Sequence, residues 1–124
     1  MTRHDRRMRL LALAFVAAVA VVAAPSAVTA KAPTEEELLK RIDKGGTAMD
    51  HEALAAYYGD QAKAAAKKAS EHEAMADKYA NVMGKTDWPT HCRSLASYYR
   101  KLAEEYDAMA KLHGEHAAEL RKKK

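Results

Sequence analysis

The chain of 124 residues holds one cysteine, one tryptophan, one phenylalanine and three prolines, and only 6% of it is aromatic. A lone cysteine excludes an internal disulfide framework. In an exported chain, where cysteines normally come in even numbers, it leaves three fates for Cys92: an intermolecular disulfide, a metal ligand, or an inert buried residue. No C-x-x-C-H stretch is present, so covalent haem is excluded. There is no phosphate loop, no nucleophile with an orienting base and no carboxylate pair in a recognisable frame, which argues against an enzyme. The stretches "EHEAM" and "GEHAAE" lack the E-x-x-H spacing of a carboxylate di-iron bundle.

Long apolar runs are equally scarce. The single one, "LLALAFVAAVAVVAA" from Leu10 to Ala24, follows the basic stretch "MTRHDRRMRL" and precedes "VTA". That order predicts a secretory signal peptide over residues 1–30, cleaved after Ala30. The run is short for a bilayer span and no second one follows, so no membrane insertion is expected after cleavage. The cleavage site has no cysteine for a lipid anchor, and Arg6-Arg7 leaves the export route open between the general and twin-arginine paths. The mature chain is expected to be soluble and periplasmic.

Cleavage also removes most of the positive charge. The leader takes four of the 21 basic and one of the 17 acidic residues, leaving 17 against 16, a net charge of +1. Four of the remaining basic groups form the tail "RKKK", Arg121 to Lys124, expected to fray. A basic balance of that origin excludes nucleic acid as a partner. The mature chain is one small alanine-rich domain, of the size that leans on oligomerisation or a bound cofactor.

Three helices are predicted. A short one within residues 31–46 begins at Thr34, which forms a capping box with Glu37, and stops at Gly45-Gly46. A second spans about 48–83, capped by Thr47 with Asp50, running through Gly59 and closed by Gly84. A third spans about 88–120, capped by Asp87 with Pro89 in its first turn. The fold class is all-α: a long antiparallel hairpin over 47–124 with a short N-terminal helix as an end cap, dimerising into a four-helix bundle.

A heptad seam runs along each long helix. On the third it reads Cys92, Leu95, Tyr99, Leu102, Tyr106, Met109, His113, His116 and Leu120. On the second it reads His51, Leu54, Tyr58, Gln61, Ala65, Lys68, His72, Met75, Tyr79 and Val82, with Ala62 and Ala69 turning inward beside Gln61 and Lys68. The two helices also repeat each other at an offset of 41 residues: "DHEALAAYY" answers "HCRSLASYY". His51 falls on Cys92, Tyr58 on Tyr99, His72 on His113 and Met75 on His116, which points to duplication of a one-helix unit.

Thiolate, imidazole and thioether on one buried stripe point to a metal. The expected ligand set is Cys92, His113, His116, His51, His72 and Met75, with His91 on the rim or entering from the flank. That mixture suits copper; zinc takes Cys and His but has little use for Met, and haem b would need a His/Met axial pair. Cys92 lies in the opening turns of its helix, where the dipole favours a thiolate. Counted up from Thr86, Cys92 stands at about 6 residues, His72 at about 14, His113 and His116 at about 27 and 30, and His51 at about 35. At about 1.5 Å per residue, Cys92 and His72 are then some 12 Å apart, and a homodimer is needed to bring a second chain's Cys92 to His116.

The expectation is a periplasmic copper-binding helical bundle for binding, delivery or electron transfer, exchanging copper with a periplasmic partner. A non-metal interaction or chaperone protein is the first alternative, and a non-covalent haem bundle the second.

Overall fold

The computed structural model describes residues 30–84 and 86–124. The expected leader lies outside the described residues except for Ala30. Residues 31–124 form one compact unit of three helices: α1 (Glu35–Asp43), α2 (Ala48–Val82) and α3 (Trp88–Lys122). No described helix is long and apolar enough to cross a membrane. The helix pair α2–α3 packs along its length, and α1 lies against α2.

Local chemistry sets the boundaries. Thr34 Oγ1 accepts from Glu37 N–H at 3.3 Å, while Thr34 N–H donates to Glu37 Oε2 at 2.8 Å. Thr47 and Asp50 repeat the device at 3.3 and 2.9 Å, and both carboxyls sit below their ordinary range because they accept these bonds. Gly45 (φ 94°) and Gly84 (φ 64°) take the left-handed conformation that ends α1 and α2. Gly59 does not interrupt α2.

Two end effects differ from expectation. Asp87 stands at the N-cap of α3 but makes no side-chain cap bond. Its backbone is helical (φ −78°, ψ −7°) where a cap needs extended geometry, and Pro89 offers no N–H for it to accept. The tail is not frayed at Arg121, because Arg121 grips Glu52 with two hydrogen bonds of 2.8 Å and α3 stays helical through Lys122.

The seam also shifts. On α3 the buried stripe is Pro89, Cys92, Ala96, Ala103 and Ala117, with Tyr99, Tyr106, Ala110, His113 and Leu120 half-buried. Leu95, Leu102 and Met109, expected in the seam, are 43%, 41% and 37% exposed, and His116 is exposed too. On α2, Ala62, Ala65, Ala69 and Ala76 are buried, while Lys68, Met75 and Val82 face solvent. In each neighbouring pair the alanine wins. Small side chains let the backbones close toward the short end of the usual ~8–10 Å spacing, and a leucine no longer fits between them. The steps from Leu54 to Tyr58 to Ala62 are both four residues, a stutter that carries the α2 stripe from its larger residues onto its alanines.

The displaced leucines leave the hairpin with two unlike flanks. Arg93–Asp77, Arg100–Glu73 and Arg121–Glu52 bridge α3 to α2 on one side of the seam. Leu95, Tyr98 and Leu102 lie on the other side at helical spacing. On that side α1 covers one end: Leu38 is buried with Leu54 and Tyr58, and Ile42, Ala53, Tyr57, Tyr106 and Ala110 pack around them. Tyr58 donates its hydroxyl to Glu35 Oε1 at 2.8 Å, which ties the start of α1 to the hairpin.

Candidate functional site

Tyr79 meets Trp88 edge-on with ring centroids 5.3 Å apart, which brings the two helices level close to Gly84 at this contact. Counted from Gly84, His51 and His116 stand at the same height to within one residue. Three histidines that sequence counting spread over a dozen ångströms therefore meet inside one hairpin. His51 Nδ1 and His113 Nδ1 are 2.9 Å apart, one ring donating and the other accepting. The His116 ring stands edge-on to His51 with centroids 4.5 Å apart, and its Nδ1 lies 3.9 Å from Glu119.

This cluster is roofed. A Cβ at Gly46 would fall 2.7 Å from Ile42 Cδ1 and 3.3 Å from His51 Nε2, so the α1–α2 turn passes close over His51 and a larger residue would make Ile42 give way. Below, the His113 ring stacks on Tyr58 at 5.7 Å and 14°. Burial, followed by the charge of His116, lowers the His51 pKa; burial, followed by His51 and then His116, lowers that of His113. Both rings are thus held neutral near pH 7. Burial and then the bond to Glu35 push the Tyr58 hydroxyl up to about 12, so it stays a donor.

The other end of the hairpin is the repeat-related counterpart. His72 stacks on Tyr99 at 5.4 Å and 8°, nearly the same arrangement as His113 on Tyr58 one repeat away. Cys92 is buried and free, in the slot that His51 occupies at the first end. The Nδ1 of His72 is buried with no hydrogen-bond partner, whereas the matching atom of His113 has His51 at 2.9 Å. A thiol is shorter than an imidazole, and the atom that would answer His72 is missing from this end. Counted from Gly84, Cys92 and His72 differ by about 6 Å of helix rise, not the 12 Å expected from Thr86. His51 and His113 differ by the same amount, and their side chains close it.

The remaining expected ligands take outer positions. Met75 and His91 are exposed on the surface beside Cys92's end of the hairpin. Among the described residues no three His, Cys, Asp or Glu side chains stand ready to hold one metal ion. Sequence reasoning missed the Arg121–Glu52 clasp and the closing of Gly46 over His51. The double glycine after α1 was the visible signal for the second; nothing in the tail announced the first. Compared with protein-family models, curated proteins and solved structures, the chain matches none of them.

Proposed function

We propose that the hairpin binds a soft metal ion, copper in preference to zinc, between Cys92 and His72 with Met75 as an outer ligand. The observation that carries this reading is the buried, unpartnered Nδ1 of His72. A buried ring nitrogen without a partner is costly, by about 1–3 kcal/mol, and an ion held with a thiolate would satisfy it. The repeat supports Cys92 as the other donor, since its slot is the one from which His51 reaches His113. Met75 falls on His116 in the same repeat, and His116 stands against His51. His91, exposed and next to Cys92, lines the approach.

Such a protein would serve in copper binding and delivery in the periplasm, handing the ion to a partner rather than turning over substrate. The test is Cu(I) binding to the purified protein against a competing chelator. Tight binding lost in Cys92→Ser and weakened in His72→Phe is the expected result. Affinity indifferent to both substitutions sinks the reading.

A second reading is favoured by the bare flank. Leu95, Tyr98 and Leu102 line a surface with Trp88 near its end, all of them exposed, and no ion pair is made by them. An envelope interaction protein, or a homodimer forming a four-helix bundle, would use that flank. Sedimentation of the native protein beside Leu102→Glu separates these: a dimer that the substitution dissociates places the flank at the interface.

A further inference from the structure

We propose that the α1-covered end is a second metal site of harder character, where His51 and His113 bind Cu(II) through Nδ1, with His116 standing beside the pair. The site rests on the copper reading above only in the choice of metal, and its donors belong to the other end. Nitrogen ligands at about 2.0–2.1 Å from a metal lie about 2.9 Å apart at 90° and about 3.3 Å apart in a tetrahedron. The present Nδ1–Nδ1 distance of 2.9 Å is that of adjacent ligands in a square-planar or tetragonal site. Turning each ring about 45° off the line of the hydrogen bond carries both lone pairs to one point. The proton now between the rings passes to Nε2 of the ring that holds it, so both imidazoles stay neutral and no net charge is taken up.

The surroundings favour a cation in this place over a merely structural histidine pair. Three imidazoles gather where leucine would pack better, and His116, half out in solvent, leaves an open coordination side. Tyr58 stacks on His113 and the Gly46 turn passes over His51, so both rings stand together at this end before any ion arrives. Among divalent ions, an all-nitrogen site of this geometry is filled most tightly by Cu(II). The two ends are about 31 Å apart along α2, so they should load independently.

The experiment is a Cu(II) titration of the untagged, chelator-stripped protein, run in the Cys92→Ser background because a thiol reduces Cu(II). One tight equivalent is expected, with nitrogen couplings from at least two imidazoles in its paramagnetic resonance spectrum. His113→Phe, which keeps a ring on Tyr58, should weaken it at least 100-fold. His72→Phe should leave it unchanged. Circular dichroism and the unfolding midpoint show whether each variant is folded, and His51→Gln gives a second route if His113→Phe is not. Tight Cu(II) binding that survives in folded His51→Gln/His113→Phe, or its absence from Cys92→Ser, overturns the site. Cu(I) held through Cys92 in the native protein, with no Cu(II) taken by folded Cys92→Ser, overturns this site and leaves the Cys92 reading intact. Cu(II) held by imidazoles beside Cu(I) binding indifferent to Cys92 supports this site and sinks the other reading.

Discussion

His51 and His113 face each other Nδ1 to Nδ1 at 2.9 Å, across the seam of one hairpin and 62 residues apart in the chain. With one proton between them, the pair satisfies two buried nitrogens that neither could satisfy alone. Removing one partner therefore does more harm than removing both. His113→Leu should cost about 1–3 kcal/mol by orphaning His51, and the His51→Leu/His113→Leu double variant should cost less than the two single variants together. Urea unfolding of metal-free protein measures this, and strictly additive losses would show that the bond contributes nothing.

The same pair makes stability depend on pH. Both folded-state pKa values are lowered, so below the unfolded value of about 6.5 the unfolded chain binds protons that the folded one does not. Stability is then full above that pH and declines as pH falls toward the folded values. The melting temperature of chelator-treated protein should drop between pH 7.5 and 5. The double leucine variant should show a flatter profile over the same range; a matching slope in both proteins would assign the effect to other groups.

The repeat is broken by α1, and the break can be weighed. Leu54 is fully buried beneath Leu38, while its counterpart Leu95 is largely open to solvent. Leu54→Ala should cost about 2–5 kcal/mol, and Leu95→Ala about 1 kcal/mol or less. Equal losses in thermal unfolding would mean that the Leu95 flank is covered in solution, as a dimer would cover it.

Helix capping offers a similar contrast. Thr47→Ala removes a reciprocal box and should cost about 1 kcal/mol, whereas Asp87→Ala removes no cap bond and should be close to neutral. A clear loss for Asp87→Ala would indicate that its side chain closes on the helix in solution.

Helix type and count, and the caps of α1 and α2, were legible because each has a local signal: Thr-x-x-Glu, Thr-x-x-Asp, Gly45 and Gly84, with Pro89 marking the start of α3. The seam was legible only in part. Heptad reading gives the inward place to the larger apolar neighbour, which holds where helices stand at ordinary spacing. Here alanine contacts draw them closer and turn Leu95, Leu102 and Met109 outward. The residues of the histidine cluster were visible as a set, yet their meeting was not. A count of helix rise from Thr86 held His51 and His113 some 12 Å apart, because it takes no account of how far two rings reach toward each other across the seam.

The matching stacks of Tyr58 on His113 and Tyr99 on His72 give the hairpin the look of a two-chain assembly sewn into one. Two identical helices packed antiparallel are bound by symmetry to have identical ends, so any change in one end is copied to the other. A linker across Gly84 lifts that constraint. One end then holds a pair of imidazoles beside α1, and the other carries a thiol in the place of an imidazole.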